Sequence, residues 1–185
     1  MEQEITPERL FEQFEPQKSW PIHDWSPTQE MEIGLSIDRL GKWFYQESEI
    51  TRDRMLKFFS SLLIFEDDGY FLITPHIKYL VLVEEYPLLA IDIETKGKGK
   101  HLSIYLRTNM DDMVTVNQSH PLRFECNPTN GQVVPTVEVR DRLKAKLTRS
   151  VYYQLVDLAI ESTDNCSDNE SDFHVWSDGV RFEIA

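Results

Sequence analysis

Apolar and polar residues alternate in several short stretches of the chain, and a period of two marks strands. Ile33, Leu35 and Ile37 form the first such set; Gly41 supplies a turn and Trp43-Phe44-Tyr45 the returning strand. Tyr70–Ile73 and Ile77–Val83 read as the next two strands, joined at Thr74-Pro75-His76. The pattern restarts at Leu88. Leu89, Ile91 and Ile93 alternate, Lys96-Gly97-Lys98-Gly99-Lys100 turns the chain, and Leu102, Ile104 and Leu106 alternate back. After a second turn at Asn109–Asp112, Val114 with Val116 and Leu122 with Phe124 make further short strands, followed by a loop at Asn127–Gly131. Phe173–Trp176 and Val180–Ile184 form a last hairpin around Ser177-Asp178-Gly179.

Helical spacing occurs in three places. Thr6-Pro7-Glu8 opens a short helix with a cap, a proline in the first turn and an acid that suits the helix dipole. Leu10, Phe11 and Phe14 are its apolar face. Met55, Phe58, Phe59, Leu62 and Leu63 predict a second helix behind a Thr51 cap, ended by Glu66-Asp67-Asp68-Gly69. The third and longest is predicted from about Thr136 to Ile160, with Val139, Leu143, Leu147, Val151, Leu155 and Leu158 on one face. Between the first helix and the first strand, Trp20–Pro27 is extended and punctuated by prolines, its two tryptophans expected to pin it to a core. Glu161–Asp172 is polar and acidic.

The order strands, helix, hairpin therefore occurs twice. It predicts an α+β protein of two related α/β halves, residues 1–86 and 87–185, arising by internal duplication. Arg52-Asp53-Arg54-Met55 and Arg140-Asp141-Arg142-Leu143 are the local strings that support it.

Composition narrows the functional classes. With 185 residues the chain makes one domain or two small ones, and 41% hydrophobic residues suffice for a core. A net charge of −13 disfavours nucleic acid and anionic membranes as partners, because phosphate affinity comes from Lys and Arg. Two isolated cysteines, Cys126 and Cys166, suit a reducing cytoplasm and predict neither a disulfide framework nor a zinc site. The start Met1-Glu2-Gln3-Glu4 has no signal-peptide character, and no apolar run is long enough to span a bilayer, so a cytoplasmic protein is expected.

Candidate chemistry is sparse. On the predicted third helix, Arg142, Lys146 and Arg149 fall on one stripe with Tyr153: a candidate anion-binding surface, or simply a solvated helix face. Trp43, Tyr45, Tyr152, Tyr153 and Trp176 form a candidate aromatic group, expected to meet where the halves join or to be packing there. The Lys96–Lys100 run lacks a P-loop pattern and reads as a hairpin tip. No histidine pair has metal-ligand spacing, and no serine sits in a nucleophile-elbow motif. The pairs Asp67-Asp68 and Asp111-Asp112 lie in turns, where acids are common, so no metal or cofactor is expected.

Longer strings carry a family resemblance. They are Trp25-Ser26-Pro27, Gly41-Lys42-Trp43-Phe44-Tyr45, Leu56–Leu63, Glu66–Tyr70 and Leu72-Ile73-Thr74-Pro75 in the first half. In the second they are Arg107-Thr108-Asn109, His120-Pro121-Leu122-Arg123, Val151–Val156 and Val175–Gly179. With these the chain resembles the bacterial domain of unknown function 1285 family; Met31, Glu49 and Leu88 depart from its pattern. The resemblance implies a duplicated α/β core whose second half is loosely like a pleckstrin-homology fold, and a role in signal transduction; it carries no particular enzymatic activity over to this chain. The expected function is a non-enzymatic binding module that holds a small anionic or aromatic ligand, or a partner segment, where the halves meet. Trp43, Tyr45, Arg107, Asn109, Arg149, Tyr152, Tyr153 and Trp176 are the expected lining. The alternatives are a protein–protein adaptor using its acidic surface and a hydrolase with His120 or an acidic pair as base. For the hydrolase the sequence supplies no nucleophile–base–oxyanion set.

Overall fold

Two six-stranded sheets carry the fold, and both have the same connectivity. The computed structural model describes residues 5–14, 20–126, 131–164 and 173–184. The predicted loop Asn127–Asn130, Cys166 and most of the acidic stretch before Phe173 lie outside the described residues. The chain divides into two units, residues 1–87 and 88–185.

In the first unit, helix α1 (Pro7–Glu12) begins at Thr6, whose hydroxyl accepts from the Arg9 amide at 3.4 Å. Strands β1 (Gln29–Ile37), β2 (Trp43–Tyr45) and β3 (Ser48–Glu49) form an antiparallel meander. Helix α2 (Asp53–Leu62) crosses to a second meander of β4 (Leu63–Glu66), β5 (Gly69–Ile73) and β6 (Ile77–Val83). The two meanders join through β1 and β6, which run parallel and give the order β3-β2-β1-β6-β5-β4. Met55, Phe59 and Leu62 of α2 are buried, and Phe59 packs 6.0 Å from the ring of Trp43. Phe58 gathers Phe11, Phe14 and Trp20 at 5.3–5.9 Å, which pins α1 and the tryptophan-bearing segment to α2.

The second unit repeats the wiring. β7 (Leu88–Lys96), β8 (Ser103–Thr108) and β9 (Met113–Thr115) form one meander; β10 (Leu122–Cys126), β11 (Val133–Arg140) and β12 (Leu143–Leu147) form the other. β7 and β12 run parallel at the centre, so the order is β10-β11-β12-β7-β8-β9. Helix α3 (Arg149–Asp164) and the hairpin β13 (His174–Ser177) and β14 (Val180–Glu183) follow. Val151, Leu155 and Ala159 of α3 are fully buried in a core with Leu88, Ile104, Leu106, Val137 and Ala145. Each of these valine, leucine and isoleucine side chains contributes roughly 1.5–3 kcal/mol by leaving water, and each alanine less.

The protein is therefore mostly β with few helices, and the predicted α+β balance is corrected. The predicted helix Thr136–Ile160 is two strands, a turn and a shorter helix. Its apolar residues Val139, Leu143 and Leu147 are four apart, a spacing that satisfies a strand as well as a helix. The intervening buried Val137 and Ala145 reveal the period of two. Asp141 and Arg142, with φ of 44° and 66°, form a left-handed two-residue hairpin turn between them. The second helix stops at Leu62, and Leu63–Glu66, predicted as its end, is a strand paired with β5. The two Arg-Asp-Arg strings are not equivalent: one opens α2, and the other is the β11–β12 turn. What the halves share is sheet connectivity; the helices occupy different places along it.

Candidate functional site

The first expectation to fall is the basic stripe. Arg142 sits in the β11–β12 turn with its amide donating to Glu138 Oε1 at 3.3 Å, Lys146 is on β12, and Arg149 is the first residue of α3. Three residues on three elements form no helical stripe. Arg149 instead donates from Nε to the Tyr153 hydroxyl at 2.8 Å, one turn along α3, with its guanidinium 5.3 Å from that ring's centre. Tyr152 turns inward beside Phe124, at 6.5 Å.

The remaining predicted residues also have defined places. Trp43 is 0% exposed in the first unit's core and cannot line an accessible site. The Tyr45 hydroxyl donates to the Ile5 carbonyl at 3.5 Å and accepts from Gln46 Nε2 at 3.1 Å, which ties the start of α1 to β2. Arg107 on β8 meets Asp92 at 3.0 Å and Asp111 at 3.5 Å. The hydrogen bond to Asp92, helped by both carboxylate charges against some desolvation, raises its guanidinium above the ordinary arginine value. Asn109 clamps β7, its amide donating to the Leu89 carbonyl at 2.9 Å and its Oδ1 accepting from the Leu89 amide at 3.0 Å. Arg107 and Asn109 thus serve the β7–β8 pairing. His120, the proposed base of a hydrolase, has Nδ1 at 3.1 Å from the Glu138 carbonyl, and its amide donates to Asn117 Oδ1. Asp67, Asp68 and Asp111 occupy left-handed turn positions, and among the described residues no three His, Cys, Asp or Glu side chains gather as a metal site.

Trp176 is the predicted residue that reaches a cavity. β7 and β8 remain paired as far as Lys96 and Ser103, and the chain between them, containing a short 3-10 turn at Gly99–His101, is the lysine-rich tip. Gly97 makes that tip possible: its φ is +90°, and a Cβ there would collide with the His101 carbonyl oxygen. The β13–β14 hairpin is locked against the tip's base. The Asp178 amide donates to the Leu102 carbonyl at 2.8 Å. Ser177, 0% exposed, accepts from the Ile104 amide at 2.9 Å and donates to the Val116 carbonyl at 2.6 Å. One hydroxyl thereby bridges the backbone of β8 to the residue beyond β9 and fixes its neighbour Trp176.

Between hairpin and tip lies a cavity of about 630 Å³. Leu102 and Leu158 of α3 line it with apolar surface, and His174 and Trp176 stand edge to face with ring centres 6.2 Å apart. Lys98 and Lys100 supply positive charge, with Lys100 Nζ 5.4 Å from the centre of the Trp176 ring, and Glu161 and Thr95 complete the polar rim. Sequence reasoning included Trp176 and read Lys96–Lys100 as a mere tip. It missed His174, Leu102, Leu158 and Glu161, which no motif connects. The signal available was a cluster of lysines in a chain of net charge −13.

Comparison with known proteins adds a family. A model described as "Domain of unknown function (DUF1285), N-terminal domain" matches residues 20–86, and one described as "Protein of unknown function (DUF1285), C-terminal domain" matches residues 87–184. The chain belongs to the DUF1285 family. A crystal structure of a DUF1285 family protein from Silicibacter pomeroyi DSS-3, at 2.50 Å resolution, is similar with a TM-score of 0.86 and 30% identity, covering 97% of this chain and 94% of that one. A DUF1285 family protein from Shewanella baltica OS155, at 1.40 Å, matches with a TM-score of 0.53 and 28% identity over 67% of this chain and 91% of that one. No curated protein matches. No helix among the described residues is long and apolar enough to cross a membrane.

Proposed function

We propose that this DUF1285 protein is a non-enzymatic binding module whose C-terminal unit holds a small ligand with an anionic group and a flat apolar part. One observation carries the reading: Lys98 and Lys100 meet Trp176 and His174 around a single cavity of about 630 Å³, inside the usual size range of small-molecule sites. The ammonium groups supply charge to an anion, and the indole face accepts a planar group, a surface that already attracts the Lys100 cation. Leu102 and Leu158 give the apolar contact that offsets the cost of ordering a ligand. In signalling, the role the family resemblance implies, this cavity would be the input.

Calorimetry with 1-naphthyl phosphate, inorganic phosphate and 1-naphthol tests the reading. The first, carrying both features, is expected to bind at least tenfold more tightly than either of the others. Lys98→Ala with Lys100→Ala, and separately Trp176→Ala, should each weaken it by tenfold or more. Equal binding of naphthyl phosphate by all three proteins would remove the cavity as the site.

A further inference from the structure

The outer face of the first sheet carries a hollow, and the strand register explains it. Ser36 of β1 stands opposite Phe44 of β2 on one side and Leu82 of β6 on the other. Residues in register on neighbouring strands project from the same face. A short serine between two large apolar side chains leaves a depression, of about 650 Å³. The adjacent Ile37 is 0% exposed on the opposite, core face, whereas Leu82 is 54% exposed. Near the end of β6, Leu82 thus leaves about half of its apolar surface uncovered by the sheet.

The rim of the hollow is uniformly acidic: Asp38, Glu47 and Glu84 line it, and no Lys or Arg does among the described residues. Backbone amides hold two of the carboxylates in place. Asp38 Oδ1 accepts from Leu40 and Lys42 at 2.8 and 2.9 Å, and Glu84 Oε2 accepts from Arg39 at 3.2 Å. These bonds orient the carboxylates and leave their charge uncancelled; the nearby Lys42 ammonium is spent on Glu49 at 3.1 Å. An apolar hollow ringed by fixed negative charge selects its occupant by charge complementarity.

We propose that this hollow docks a basic segment of a partner protein, with one large apolar side chain seated over Ser36 between Phe44 and Leu82 and flanking Lys or Arg side chains on Asp38, Glu47 and Glu84. A second copy of this chain is a poor occupant, since a two-fold contact would set the acidic rims against each other.

The test uses the full chain and a fluorescein-labelled decapeptide of lysine and leucine, read by anisotropy at 0.05 and 0.3 M salt. Two controls are the same peptide with serine for leucine and one with glutamate for lysine. The lysine–leucine peptide is expected to bind at least tenfold more tightly than either control. Leu82→Ser, and separately Glu47→Gln with Glu84→Gln, should each weaken it tenfold or more, while Met113→Ser, an equally exposed residue of the other unit, leaves it unchanged. Thermal melts confirm that each variant is folded, and Leu82→Lys, which adds a cation at the rim, should weaken binding further. Equal binding of the serine peptide, or indifference to Leu82→Ser and Leu82→Lys, marks general attraction to an acidic protein and overturns the proposal. So does concentration-dependent dimerisation in sedimentation that Leu82→Ser abolishes, which would make the hollow a contact between copies.

Discussion

Single residues set the candidate cavity, and Ser177 matters most among them. Its hydroxyl satisfies a buried amide on one side and a buried carbonyl on the other. Ser177→Ala leaves both without a partner, and each unsatisfied buried group costs about 1–3 kcal/mol. Urea unfolding should show a loss of about 2–4 kcal/mol, and naphthyl phosphate binding should weaken because Trp176 loses its anchor; a change below about 1 kcal/mol would show that water replaces the hydroxyl. Nothing in the sequence separates this serine from the rest of Glu161–Ile184, which reads as acidic loop and hairpin. Trp43 and Trp176 make the same point: both are tryptophans on short strands, yet one is sealed in a core and the other faces a cavity. Residue type is legible in sequence, whereas burial depends on neighbours brought from far along the chain.

At the scale of elements, strands that alternate over five or more residues were legible, as β1, β6, β7 and β8 show. The long-helix expectation failed where an apolar spacing of four met a turn without glycine. Asp141-Arg142 holds two side-chain-bearing residues at positive φ, as do Gln46-Glu47 and Asp67-Asp68. Such turns match the twist of the flanking strands but are usually recognised by Asn-Gly or Asp-Gly. Arg142→Gly removes the left-handed strain of the second position while keeping the amide that reaches Glu138. It should stabilise the protein by about 0.5–1 kcal/mol in thermal or urea unfolding and leave naphthyl phosphate binding untouched. Destabilisation would mean that the Arg142 side chain supports the turn. The candidate cavity draws on four elements from residues 95 to 176. For that reason its lysine tip and Trp176 were visible separately while their meeting was not.

At the scale of the whole molecule, two sheets with one connectivity account for the two family models that meet between residues 86 and 87. Among the described residues, the second unit's core runs from Leu88 to Ile184. Residues 88–185 expressed alone should therefore unfold in one cooperative transition by circular dichroism and bind naphthyl phosphate as the full chain does. A fragment without a transition would show that the core needs the first unit. The division into two halves was legible through the restart of alternation at Leu88, whereas the shared Arg-Asp-Arg string lies on unlike elements. The parallel centre of each sheet was invisible, because pairing between the first and last strands leaves no local trace. That pairing has a consequence in time. On the ribosome, β1 emerges early and waits with one edge bare until β6 is made, and β7 waits in the same way for β12. Closure by the last strand makes the slowest contacts the central ones, so each half spends its synthesis as an open sheet edge exposed to other nascent chains.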